Sequence, residues 1–389
     1  MDRSATTTSS TRVRVRPITF EQKRDRQQFI DFPYAFYRDD YPAWIPPLRQ
    51  EAAKKADPRK NAFFEHSRIQ SFLAEDAAGT VQGRIAAIVN ELHLQTYDDG
   101  AGFFGFFECV EQYEVAEALL EAAAGWLRAQ GLTEVRGPTN PSFNEEAGLL
   151  VDGFDREPSI MMPYNPPYYP DFLERCGFER IMTMWAYYVH KKYVRPERLR
   201  RGVALVRRRN PGLALRTVDL SRFDEEAAAI LRIYNAGWAN NWGFVPTTEA
   251  EFAQLAKDLR RIVDPSIVFI VEDEGVPVAF SIALPDINQA LRHVSDGRLF
   301  PLGLPKLLAY SKFGGIYECR MPLMGVLPAY QGRGLDALLI LATIDNGPPN
   351  GYDACEMSWV LDTNARLKNA LGPLGAVIDK EYGFYAKPL

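Results

Sequence analysis

The stretch Gly325-Val326-Leu-Pro-Ala-Tyr-Gln331-Gly332-Arg333-Gly334-Leu335-Asp336-Ala-Leu-Leu339 carries the residue types from which an anion site is made. Gly332 and Gly334 let backbone approach a ligand with no Cβ in the way. The free N–H groups of the helix predicted to begin near Gly334 aim at that ligand with the positive end of the helix dipole. A pyrophosphate is the natural ligand of such a strand-turn-helix. Three further clusters have the character of a binding pocket: Asn140-Pro-Ser-Phe-Asn144-Glu-Glu, Pro163-Tyr164-Asn165-Pro-Pro-Tyr168-Tyr169, and Asn240-Asn241-Trp242-Gly-Phe-Val-Pro246. Asn and Tyr held in rigid turns give oriented polar groups beside aromatic walls. An ordinary domain interface is the competing reading of the same residues. Cys109, Cys176, Cys319 and Cys355 show no CxxC or Cys/His spacing, so no metal site is expected.

The elements that must position these residues follow from periodicity. In the first half, paired strands are predicted at Ile69 to Glu75 and Val81 to Val89, and a Phe-rich strand at Gly102 to Glu108. A helix spans Glu114 to Ala129, with Val115, Leu119, Ala122, Trp126 and Ala129 at three- and four-residue spacing, and a strand returns near Glu134. The second half repeats that order. A strand at Leu213 to Val218 precedes helices at Asp224 to Ala236 and Thr248 to Arg260. Strands at Ile267 to Glu272 and Val276 to Leu284 follow, then one ending near Val326, a helix to Ile344 and a strand from Ala354 to Trp359. Gln112 to Leu120 aligns without gaps on Gln331 to Leu339, and Leu173-Glu-Arg-Cys-Gly177 answers Leu371-Gly-Pro-Leu-Gly375. A duplicated domain explains both matches.

A chain of 389 residues exceeds the reach of one hydrophobic core, so two domains are expected. The predicted boundaries are a disordered tail over 1–11, a first domain over 12–190, a basic linker over 191–211 and a second domain over 212–389. Lys191 to Arg209 holds nine basic residues against Glu197 alone, either as a solvated helix face or as an anion- or membrane-facing patch. A hydrophobic share of 47%, a charged share of 24% and a net charge of −5 describe an ordinary globular protein, with no global pull toward nucleic acid. Sparse cysteines, no apolar run near the ~18 residues of a membrane span and no signal peptide imply a cytoplasmic chain.

Gln331-Gly-Arg-Gly-Leu-Asp336, preceded by Val326-x-Pro328, resembles the Gln/Arg-x-x-Gly-x-Gly/Ala loop of the GNAT acyltransferases. Asn364, Leu371 and Gly375 have the spacing of that superfamily's Asn…Tyr…Gly-Phe segment. The resemblance covers nearly the whole chain as a tandem, with a general likeness to bacterial two-domain members that acylate long-chain amines, including sphingoid bases. It implies an α/β fold with mixed sheets in two tandem GNAT domains, and acyl-CoA or acetyl-CoA as donor without a metal. Met324, Gly325 and Val326 would bond pantetheine from a splayed strand, residues 331 to 336 would hold the pyrophosphate, and Asn364 would stand beside them. Two positions depart from the pattern. Asp336 brings a carboxylate toward phosphates, and Leu371 replaces a tyrosine general acid. In the first half Tyr113, Glu114 and Val115 replace both glycines and the arginine, so that half is not expected to take acyl-CoA.

Acyl transfer to an amine needs a base and oxyanion donors. Glu318, on the strand ahead of the loop, and Tyr385 are the catalytic candidates, with Glu356 and Asp362 as rivals. Asn140, Asn144, Tyr164, Asn165, Tyr168, Asn241 and Trp242 are the acceptor-site candidates. The long connection Pro285 to Gly314, with Leu299, Phe300, Leu302, Leu304, Leu307 and Leu308, would enclose an acyl chain, rest on a membrane, or serve as a dimer contact. The expected activity is acyl-CoA-dependent N-acylation of a primary amine, small or lipidic, with peripheral membrane contact in the lipidic case. An N-acetyltransferase of small polar amines and a non-catalytic acyl-CoA-binding module are the alternatives.

Overall fold

The computed structural model describes residues 13–313 and 315–389. The tail assigned to residues 1–11 lies outside the described residues. Alternating apolar runs build thirteen strands: β1 (Arg14–Ile18), β2 (Ser67–Glu75), β3 (Val81–Asn90), β4 (Ala101–Cys109), β5 (Glu134–Gly137), β6 (Leu149–Asp152), β7 (Glu179–His190), β8 (Leu213–Thr217), β9 (Val268–Asp273), β10 (Val276–Pro285), β11 (Glu318–Val326), β12 (Ala354–Leu361) and β13 (Val377–Pro388). They join in one mixed sheet of order β1-β2-β3-β4-β5-β13-β7-β12-β11-β10-β9-β8, with β6 paired to β13 off that path. The predicted repeat is visible in the two arms: β1–β4 and β8–β11 run as antiparallel meanders, and β4–β5 and β11–β12 are parallel pairs.

The centre of the sheet departs from two separate units. β7, the last strand of the first half, pairs with β12 of the second half, from Ala354 opposite His190 to Leu361 opposite Met184. β13, the last strand of the chain, lies between β5 and β7 of the first half. Each half thus completes its sheet with the final strand of the other. Tyr385 consequently belongs to the core of the first half, packed with Phe104, Val135 and Phe178.

Helices cover both faces. Tyr113–Ala129 buries Val115, Leu119, Ala123 and Leu127 on β2 and β3. Helix Leu335–Asn346 buries Leu335, Leu338 and Leu339. Basic stretch 191–211 contains helix Glu197–Arg209, whose apolar side places Leu199 and Val203 against that helix while its arginines stay outside. Helices Phe223–Trp238 and Glu249–Leu259 enclose a second apolar layer over β9 and β10, with Ile233, Phe252, Ile270 and Phe280 at its centre.

The connection after β10 does not form an acyl channel. It folds into helices Asn288–Leu291 and Gly303–Lys312 and docks on the first half, where Arg49 donates to Gly297 O and Asp296 O. Phe300 is 73% exposed, Leu302 64% and Leu308 45%, and no leucine of this segment borders the four cavities described here. The segment's length allowed closure over the site. Its anchoring to Arg49 and Tyr34 directs it away.

Candidate active site

Strands β11 and β12 run parallel and paired from Glu318 opposite Ala354 to Met321 opposite Met357. There the pairing stops. Pro322 follows at once, and a proline has no N–H to continue a ladder. Beyond it β11 stays with β10, as Met324 opposite Ser281 and Val326 opposite Ala279, while β12 stays with β7. The diverging strands open a cleft of about 550 Å³.

Two-residue alternation decides what faces the gap. Leu327 N–H donates to Val278 O, so the main-chain groups of Met324 and Val326 point away from β10 and into the cleft. Trp238 Nε1 already donates to Met324 O at 2.9 Å, and Gln331 Nε2 approaches Val326 O at 3.3 Å. At the wide end Gly332 (φ +79°) and Gly334 (φ +87°) form the turn into helix Leu335–Asn346. Both occupy the left-handed region that favours glycine. A Cβ on Gly332 would meet nothing within 4 Å, whereas one on Gly334 would stand 2.5 Å from Val206 Cγ2. No side chain caps this helix, so its first N–H groups remain free for an anion. Asp336 is paired with Arg366 at 2.9 Å, which removes the electrostatic objection raised by a carboxylate at this place. Asn364 caps helix Ala365–Leu371 by accepting from Leu367 N–H and also borders the cleft. Arg333 stacks on Tyr330, 4.7 Å from the ring centroid, outside the lining. These donors and the open space over Gly332 fit a nucleotide thioester.

The matching place in the first half is filled. Val115 is fully buried, and Tyr113 carries the Arg175 guanidinium 3.8 Å above its ring.

The catalytic candidates are displaced from the cleft. Glu318 sits at the closed end of the strand pair, where its carboxylate accepts from Tyr188 Oη at 2.6 Å, and it borders none of the cavities described here. It is on the expected strand but ahead of the point where the strands part. Tyr385 is carried into the first-half core by the exchange of final strands, and burial raises its hydroxyl to about 12. Asp362 is exposed, and its hydrogen bond to Lys368 holds its carboxyl below the ordinary value. Glu356, 2% exposed, accepts from Ser159 Oγ (2.9 Å), Ser358 Oγ (2.6 Å) and Lys380 Nζ (3.1 Å). Arg320 joins that network through Ser358 Oγ at 2.8 Å and Ile160 O at 2.9 Å. A buried carboxylate so fully engaged anchors β11, β12 and β13 to the first-half loop.

Of the acceptor-site candidates, Asn144, Asn241 and Trp242 line the cleft. Asn140 instead accepts from Phe106 N–H and donates to Glu146, and Asn165 brackets Leu150 through N–H and C=O. Tyr164 donates to Phe154 O and Tyr168 to Cys109 O. These four side chains brace loops, because their polar ends are taken by main chain or by Glu146.

Several lining residues carried no sequence signal: Tyr234, Trp238, Met161 and Arg320. Glu145 is the most consequential. It borders the cleft from the first half, with Asn61 Nδ2 at 3.4 Å, and burial pushes its carboxyl up to about 7 against the lowering pull of Lys55. Burial pushes its neighbour Glu146 the same way, but a 2.8 Å pair with Lys55 outweighs it and the net shift is downward. Two adjacent carboxylates are thus pushed apart by their surroundings. A second cavity of about 430 Å³ shares Phe143, Asn144, Asn240, Asn241 and Trp242 with the cleft and extends into the first half toward Phe63, His93 and Phe384. Thr139 Oγ1 is buried on its wall without a partner. Among the described residues no group of three or more His, Cys, Asp or Glu could hold a metal, and no helix is long and apolar enough to cross a membrane.

No family model matches the chain. Protein YghO of Escherichia coli is 37% identical over 376 residues, 95% of each chain. The bacterial ceramide synthase of Caulobacter vibrioides is 36% identical over 389 residues, 98% of this chain and 99% of that one. Among solved structures, a tandem GNAT protein from the clavulanic acid biosynthesis pathway superposes with a TM-score of 0.58 over 97% of this chain and 98% of that one, at 12% identity, which speaks for the fold. Full-length kinship at this level, on a tandem frame whose second half opens at the strand pair and glycine turn described above, leads to one conclusion: the chain belongs to the family of YghO and the bacterial ceramide synthase, and it has the fold of a tandem GNAT protein.

Proposed function

We propose that this enzyme transfers a long-chain acyl group from CoA to the primary amine of a long-chain, sphingoid-type acceptor. The carrying observation is the continuity of the cleft with the aromatic-walled cavity of the first half, which gives an elongated acceptor a path beside the splayed strand. A small polar amine has no use for that length of wall. The name of the Caulobacter relative agrees with this reading.

CoA supplies the acyl group as an activated thioester. The turn at Gly332 and Gly334, with the first N–H groups of the following helix, holds the pyrophosphate, and the gap-facing groups of Met324 and Val326 orient pantetheine. The same edge of β11 offers N–H groups to the oxyanion that develops on the acyl carbonyl. Glu145 takes the proton of the attacking amine, since a carboxyl near 7 is half ionised at working pH and strong enough to accept it. Asn241 orients the acceptor beside it, and Asn144, bonded to Val245 O, Thr247 Oγ1 and Tyr234 Oη, holds the cleft wall.

The test is reconstitution with purified protein, pairing palmitoyl-CoA or acetyl-CoA with sphinganine-type bases or with small polar amines, and identifying products by mass spectrometry. An N-acylated long-chain base is expected. Turnover confined to acetyl-CoA and small amines would replace this reading with small-molecule acetylation. Acyl-CoA binding without turnover of any amine would leave a binding module.

A further inference from the structure

On the face of the sheet covered by helix Leu335–Asn346, beside the paired part of β11 and β12, lies a cavity of about 220 Å³ that the chemistry described so far leaves unused. Four residues, Met321, Ile340, Met357 and Leu371, line both this cavity and the central cleft. The two spaces therefore share these residues as a common wall. All four are apolar. Two are methionines, unbranched and adaptable enough to swing aside for an entering chain.

Alternation along the strands gives the cavity its character. Cys319, Met321, Cys355 and Met357 turn to this face, while Arg320 and Glu356 turn to the other and meet the first half in their buried ion network. Ile344, Tyr352 and Leu374 continue the apolar wall, and the charged groups at the margin are spoken for, Lys191 by Asp353 and Arg200 by Asp345. Leu371, 1% exposed, stands where the resembling sequences carry a tyrosine. A phenol here would set a hydroxyl in the partition between cleft and cavity, at the cost of burying a polar group; a leucine makes that partition passable to hydrocarbon.

We infer that this cavity receives the acyl chain of the donor, entering past Met321 and Met357, and that the extent of its apolar wall sets the chain length preferred. This rests on the long-chain reading proposed above. It assigns the donor chain a place distinct from the acceptor's cavity in the first half, so the two hydrocarbon tails diverge from the point of transfer. Removing a methylene from water onto an apolar wall is worth about fourfold in affinity, so occupancy converts into length preference.

Two measurements test it. The first compares kcat/KM for donors of two to sixteen carbons in wild type and in Cys355→Phe, which fills the cavity from its strand wall. The ratio of the sixteen-carbon to the two-carbon donor should fall by about fiftyfold, the loss of some three buried methylenes. The second needs no turnover. Cys355 is half-buried and should be alkylated slowly by a maleimide; palmitoyl-CoA should protect it while CoA and acetyl-CoA do not, with half-buried Cys176 in the first half as internal reference. Equal labelling of Cys355 with and without palmitoyl-CoA overturns the inference. So does an unchanged length profile in Cys355→Phe together with a shortened one in Ala227→Phe, which fills the small cavity of about 70 Å³ between the helices on the opposite face. A wild-type profile that is flat with chain length overturns the long-chain reading itself, and this inference with it.

Discussion

Arg366 Nη2 lies 2.9 Å from Asp336 Oδ2, joining the first turn of the helix that follows the glycine turn to the helix that Asn364 caps. The pair cancels a negative charge where the ligand brings several. Removing the cation alone should therefore hurt more than removing both. Arg366→Ala should weaken CoA binding by about fivefold and Asp336→Ala should strengthen it modestly, with both effects shrinking at high salt because the pair is partly exposed. Isothermal titration at two ionic strengths measures this. Equal affinities in all three proteins would place the phosphates elsewhere.

Gly332 and Gly334 should fail differently when substituted. Gly332→Val meets open space and costs about 1–2 kcal/mol of left-handed strain, yet its side chain occupies the phosphate approach. The folded variant should lose CoA affinity by about tenfold or more. Gly334→Val adds a collision with Val206 and should abolish binding while also lowering Tm. Retained affinity in a folded Gly332→Val would refute the pyrophosphate assignment.

Glu145→Gln should lower kcat by roughly 10²-fold or more if Glu145 takes the amine proton. In wild type kcat/KM should climb as pH rises through about 7, where this carboxyl ionises, and then level. The Gln variant should lose that inflection while binding CoA normally. A wild-type pH profile in the variant would return the base to another group.

Asp286 concerns stability. Burial raises its carboxyl to about 7 from 3.8, against the opposing N–H groups of Ile160 and Asn288. The native state thus holds a proton that the unfolded chain has released. The resulting contribution is fully present below about pH 4 and disappears as pH rises through 7. Asp286→Asn keeps the acceptor for both N–H groups and cannot ionise, so its Tm should exceed wild type at pH 8 by more than at pH 5. A pH-independent difference would mean that Asp286 is ionised in the fold.

Much of this was legible in the residues. The strand and helix sequence of both arms follows from local periodicity, and the glycine turn announced a helix N-terminus with an approach path. Local signals do not say which strands adjoin. Nothing in the alternation of β7 or β13 reveals that each crosses to the other arm, and this is why Tyr385 was expected at the cleft and lies in the opposite core. The asparagines could not be sorted from sequence either. Asn140 and Asn144 share one loop and one chemistry, and only the neighbours decide that the first braces Phe106 N–H while the second ties the cleft wall to Val245 and Thr247 of the other half. Glu145 shares its segment with those asparagines; a carboxylate gains a raised pKa from burial, which has no local signature. Pro322 was the overlooked clue, a residue without an N–H where the ladder had to end.

The placement of β13 has a consequence for how the protein comes into being. Synthesis proceeds from the amino end, so the first half emerges whole in sequence yet without the strand that must sit between β5 and β7. Its sheet stays gapped until the residues of β13 have been made. Asn144, which belongs to that early half, likewise waits for Val245, Thr247 and Tyr234 of the second half to engage its amide. A chain cut short before β13 would carry every residue of the glycine turn and still leave β5 and β7 without the strand that joins them.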